Sequence, residues 1–115
     1  MEFTFTFLKT FTYGLYYTAP LLSMIVLTTI CLGLIVGRVE SLTIFDALYW
    51  SFITATTVGY GDIRPLCRTS KVISILIALT GLIFTGIIVA IAVRAATYAF
   101  NTHVDLVQMK TLFQQ

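Results

Sequence analysis

The polar and apolar positions divide this chain into three stretches that carry no Asp, Glu, Lys or Arg: Thr10 to Gly37, Ala47 to Gly61 and Val72 to Val93. The first and third exceed the ~20 apolar residues that a bilayer-spanning helix needs. The middle one, once its glycine-rich end is set aside, is of the ~10 to 14 residues typical of a dipping or buried segment. The pattern therefore predicts a spanning helix, a segment that enters the membrane and turns back, and a second spanning helix.

Boundaries follow from local signals. Pro20 suits the first turn of a helix, where its missing N–H would have no partner, and it would kink a helix that began earlier. The first span is accordingly expected over residues 20–36, with 1–19 as an interfacial segment. In that segment Phe3, Phe5 and Phe7 alternate with Thr4 and Thr6, yet Phe3, Phe7 and Phe11 also share a helical face. An interfacial amphipathic helix ending in the aromatic belt of Tyr13, Tyr16 and Tyr17 is the reading preferred here. The apolar run is longer than that of a signal peptide and no small-residue cleavage pattern follows it, so it is expected to be retained.

Thr43, followed three residues later by Asp46, reads as an N-cap with an acidic first turn, and predicts a short helix over 44–55. Twelve residues make ~18 Å of helix, about half of a ~30 Å hydrocarbon core. Such a helix must turn back, and the irregular backbone after it is tolerated only where protein buries it or water reaches it. The second span is expected over 72–93, and 94–115 beyond it is either an amphipathic helical extension or a disordered tail.

Composition agrees. Of 115 residues 58% are hydrophobic and 10% charged, against about 25% charged in soluble domains, so this is an integral membrane protein. A net charge of +2 without a basic run gives no reason to expect nucleic acid. No paired His and Cys, metal-ligand cluster or phosphate-binding Gly loop supports an enzyme. Cys31 lies mid-span and Cys67 lies in a loop, depths that do not suit a disulfide.

The chemistry is concentrated in Thr57-Val58-Gly59-Tyr60-Gly61-Asp62. A ring of backbone carbonyls can replace the hydration shell of a cation without side-chain chemistry. Aiming every carbonyl at one axis requires positive φ at intervals, which Gly59 and Gly61 supply at no steric cost. Val58 and Tyr60 would then project away from the axis into surrounding protein, and Thr57 adds a hydroxyl at the inner end. The short helix directs the partial negative charge of its C-terminus at the space below.

These residues carry a resemblance. Ala47-Leu48-Tyr49-Trp50-Ser51, followed by Thr54-Ala55-Thr56 and the six residues above, resembles the pore helix and selectivity filter of bacterial two-transmembrane potassium channels, and the likeness extends to about Val93. It implies an all-α membrane protein in which four copies of the chain surround one pore. It implies K⁺ as permeant ion, bound in a selectivity filter of Thr57, Val58, Gly59, Tyr60 and Gly61 and coordinated at the first four, with Trp50, Tyr49 and Asp62 supporting the filter. The family's inner-helix glycine falls on Gly81 and a second on Gly86, as gating hinges or as close-packing positions. Thr85, Val89 and Val93 share a face with Gly81 that would line the cavity and its apolar constriction. The resemblance places both termini in the cytoplasm and the protein in a prokaryotic plasma membrane. The distribution of Lys and Arg does not by itself support that orientation. Expected partners are the other three copies, membrane lipids, and a cytoplasmic regulatory domain or subunit.

Two positions depart from the family. Ile53 stands where many relatives carry an acid that bonds the aspartate matching Asp62, leaving Trp50 or Tyr49 as its partner here. Arg64, with Arg68, puts positive charge either at the outer mouth or sideways toward headgroups. No helix repeats arginine at three-residue spacing, so none of these segments is a voltage sensor. His103, the only histidine, is read as solvated in preference to an acid sensor. A transporter built from several related repeats, and a non-conducting interaction module, are the rival readings. The single complete filter motif speaks against both.

Overall fold

The computed structural model describes Met1–Gln115 and is entirely helical: α1 (Glu2–Val39), α2 (Ile44–Ala55) and α3 (Arg68–Phe113). Both α1 and α3 contain windows long and apolar enough to cross a membrane, whereas α2, with 12 residues, does not. The chain forms two compact units, Pro20–Gly86 and Met1–Ala19 with Ile87–Gln115.

Two element boundaries differ from those expected. Residues 1–19 and 20–36 do not form separate elements, because α1 is continuous from Glu2 and carries Pro20 inside it. Charge-free sequence marks where lipid is expected. It does not mark where a helix ends, and nothing in the Phe- and Thr-rich stretch opposes helix. Its threonines adapt by returning their hydroxyls to their own helix, Thr12 to the Leu8 carbonyl and Thr18 to that of Gly14, both at 2.8 Å. The helix of the second span likewise does not stop at Val93, and α3 continues beyond it to Phe113, so the tail is helical to that point.

In the unit Pro20–Gly86, packing depends on small residues. Ala47, Ser51 and Ala55 repeat every fourth residue on α2 and are all buried. A methyl group at Gly33 of α1 would come within 2.6 Å of Ser51 Cβ and Oγ, and one at Gly37 within 2.6 Å of Ala47 Cβ. On the opposite side, Gly81 of α3 lies directly on the Ala55 backbone. Backbones approach closely in this way where the driving force between helices is van der Waals packing. Around the stripe, Val36, Trp50, Ala55 and Ile77 form a compact core with Leu32, Ile63 and Ile73 against it.

α1 ends with Ser41 in the left-handed region (φ 57°), and the Leu42 amide returns to the Gly37 carbonyl at 2.8 Å. In the other unit Gly14 rests on Ile91, Phe7 and Phe11 stack at 5.8 Å, and Ala95 and Ala99 are buried. Elsewhere large apolar side chains such as Leu27, Leu79 and Ile83 remain exposed, as suits surfaces that meet lipid or other protein.

Candidate functional site

The site grows from the C-terminus of α2. Thr43 caps the start of this helix, in extended conformation, by accepting from the Asp46 amide at 3.2 Å. At its other end the Thr56 hydroxyl donates to the Phe52 carbonyl at 2.7 Å. The Ile53 carbonyl accepts from two amides beyond the helix, Val58 at 3.1 Å and Gly59 at 3.2 Å. The Thr57 amide donates to Thr54 at 3.2 Å. The amides at the base of the filter are thus tied back to the helix that delivers it.

Along the filter the backbone alternates in hand. Positive φ recurs at Thr57 (65°), Gly59 (52°) and Gly61 (78°), with Val58 and Tyr60 between them on the ordinary side. The two glycines pay no steric penalty for this, whereas Thr57 holds a conformation uncommon for a β-branched residue. A strained residue in such a place is part of how a site is set up in advance. Sequence reasoning anticipated the glycines and not Thr57. Alternation of this kind turns successive carbonyls toward one side, and the carbonyls of Thr57, Val58, Gly59 and Tyr60 accept no hydrogen bond from the chain.

The Gly61 carbonyl does have a partner, the Arg64 Nε–H at 2.9 Å. Arg64 therefore folds onto the outer turn of the filter. Of the two residues offered as partners for Asp62, Tyr49 is the one close enough for its phenol to feel that carboxylate, although no hydrogen bond joins them. Trp50 instead enters the core, and with Ile53, Thr54 and Ser74 it walls a cavity of about 260 Å³ behind Gly59–Pro65.

Val58 and Tyr60 find no cover within their own chain, being 52% and 72% exposed. Gly81 is buried against Ala55, whereas Gly86 has open space where a side chain would be. Thr85 lines a cavity of about 80 Å³ with Thr29, Phe52, Thr56 and Phe84. Val89 and Val93 are exposed on α3, as is His103. Cys31 and Cys67 are both free thiols.

One functional residue escaped sequence reasoning. Glu40 Oε1 accepts from the Leu66 amide at 2.9 Å and the Cys67 amide at 2.8 Å, just ahead of α3. A carboxylate at a helix N-terminus is favoured by both the free amides and the helix dipole. The hydrogen bond from the Cys67 amide foremost holds the Glu40 carboxyl below the usual carboxylate range. The charge of Glu40, with burial second, pushes the Cys67 thiol up. The contact spans 26 residues of sequence, and its only local trace is a lone acid directly after an apolar run.

Two long apolar helices around a short one that hands over a carbonyl-lined strand define a membrane pore unit, and the comparisons agree: the family model described as "Ion channel" matches residues 21–98, so the chain belongs to that ion channel family. The family is one of channels and not of enzymes. Among similar proteins, a "Voltage-gated potassium channel" of Aeropyrum pernix is 55% identical over 40 residues, covering 35% of this chain and 14% of that protein. "Potassium voltage-gated channel subfamily A member 5" of Homo sapiens is 35% identical over 60 residues, covering 52% of this chain and 10% of the relative. "Potassium voltage-gated channel subfamily A member 4" of Homo sapiens is 31% identical over 69 residues, covering 60% and 11% respectively. The chain thus spans about a tenth to a seventh of the length of these curated relatives. No solved structure gives a significant match.

Proposed function

We propose that this chain is the pore unit of a potassium-selective channel in which four copies surround one axis. Passive K⁺ conduction passes through the ring of carbonyls from Thr57 to Tyr60. The observation that carries this reading is the row of four carbonyls that accept nothing from their own chain. The strand is exposed in the single chain, but at membrane depth irregular backbone survives only against protein or a water-filled cavity, so these acceptors need partners there. Cations passing along the strand supply the missing partners.

A single strand cannot enclose an ion, and the exposure of Val58 and Tyr60 fits neighbouring copies packing behind them. The potassium channels among the relatives support the choice of ion. With roughly half a negative charge at the C-terminus of α2, a cation below the filter is stabilised in each of the four copies. Trp50, Tyr49 and Asp62 brace the filter from outside, and Thr85, Val89 and Val93 line the wider pathway, with Gly86 as the unpacked point on α3. Both termini lie on the cytoplasmic face of a prokaryotic plasma membrane.

The test is the reversal potential of the purified chain in planar bilayers with opposed K⁺ and Na⁺ gradients. A value that follows K⁺ alone, about 59 mV per tenfold gradient for a single charge, is expected. Sodium permeability close to that of potassium would refute the proposal, and so would a purified chain that carries no current.

A further inference from the structure

The unit formed by Met1–Ala19 and Ile87–Gln115 contains a cavity that conduction does not explain. It measures about 520 Å³ and is lined by Thr6, Lys9, Thr10 and Tyr13 of α1 and by Tyr98 and Thr102 of α3. A neighbouring cavity of about 410 Å³ shares Phe5, Lys9 and Tyr13, and its remaining walls are Leu8, Thr12 and Tyr16. No carboxylate lines either space.

We propose that these paired cavities bind an anionic phospholipid, with the phosphate at Lys9 in the hydroxyl-rich space and an acyl chain along the apolar one. Three observations favour this occupant. The first is charge: one ammonium group and two phenols converge with no anion to answer them. The second is hydroxyl supply. Thr102 spends its hydroxyl on the Tyr98 carbonyl, but those of Thr6 and Thr10 make no such bond and are free to donate to phosphate oxygens.

The third is depth. The charge-free stretch of α1 starts at Thr10 and that of α3 ends at Val93, so Lys9 and the turn after Arg94 lie beyond the hydrocarbon, at headgroup level. Thr10 to Gly37 makes roughly 42 Å of helix, close to the ~40–45 Å of a bilayer with its polar regions. Tyrosines such as Tyr13 and Tyr98 favour that level. A soluble phosphate would use Lys9 and leave the apolar cavity unfilled, which is why a lipid is the better occupant.

The inference rests on the two spanning helices and not on ion selection, so it can fail while the conduction reading stands. The test reconstitutes the full chain in vesicles of equal phosphatidylglycerol and phosphatidylcholine, then reads by native mass spectrometry which lipid stays bound after extraction. The wild type should retain phosphatidylglycerol over phosphatidylcholine by about fivefold, the effect of one lysine beside an anionic lipid. Lys9→Gln should bring the ratio near one, Lys9→Arg should keep it, and Lys110→Gln should leave it unchanged. The pair Thr6→Val with Thr10→Val should lower the ratio with the charge intact, and it serves as the reading if Lys9→Gln does not fold. A wild-type ratio near one would overturn the proposal. Equal losses in Lys9→Gln and Lys110→Gln would do so too, as would full displacement of the lipid by glycerol 3-phosphate, which has the headgroup chemistry without the chains.

Discussion

Consider replacing Gly81 with alanine. The added methyl would overlap the Ala55 carbonyl oxygen and come within 2.5 Å of its carbon and 2.7 Å of its Cα, where ordinary carbon contacts are about 3.5 to 4.0 Å. The obstacle is backbone, which cannot rotate aside as a side chain would, so α3 and the end of α2 must separate by well over ~1 Å. Ile77, one turn earlier and fully buried in the same core, loses contact as they part. Overpacking costs about 1–3 kcal/mol, and against backbone that cannot yield the upper part, about 2–3 kcal/mol, applies; alanine returns about 0.8–1.0 kcal/mol through helix propensity, for a net loss of about 1–2 kcal/mol. Gly86→Ala is the internal control, because its methyl meets nothing within 4 Å and only the propensity gain applies. Unfolding titrations in mixed micelles, followed by helical circular dichroism, should therefore move in opposite directions for the two variants. A Gly81→Ala protein as stable as the wild type, or a Gly86→Ala protein destabilised as much, would refute the packing argument.

Other outcomes follow from the loops. Because folding lowers the Glu40 pKa, its stabilising effect is present above the usual carboxylate range and is lost as pH falls through the depressed folded value. Acid unfolding curves should show this dependence in the wild type, and Glu40→Gln should lower stability at neutral pH and flatten it. The same charge keeps Cys67 protonated, so in a Cys31→Ser background Glu40→Gln should speed alkylation of Cys67 by iodoacetamide at neutral pH. An unchanged rate would show that Glu40 does not control the thiol. Arg64→Ser removes a cation bonded to the Gly61 carbonyl, and single-channel conductance should rise at low salt but not at high salt, where screening has already weakened the repulsion.

What the sequence revealed was what depends on neighbours in the chain. The Thr43 cap, the length of α2 and the glycines of the filter are local matters, decided by dihedral preference and by residues three or four positions apart. The contacts that needed the fold are those between distant segments. Glu40 reaches amides 26 and 27 residues away. The packing of Gly33 and Gly37 on Ser51 and Ala47 leaves a spacing of small residues in the sequence, but only the structure pairs one stripe with the other. The extent of α1 and α3 was hidden for another reason: hydropathy reports the solvent a segment prefers, and helix continues across a change of solvent.

The contact between Gly81 and Ala55 also has a mechanical side. Ala55 is the last residue of α2, and Thr57, where the backbone first turns left-handed, is two residues on. With no side chain between the two backbones there is nothing compressible at that point, so it acts as a rigid fulcrum. Any rocking of α3 about it is transmitted to the base of the filter with little loss, which puts lever and load on adjacent residues.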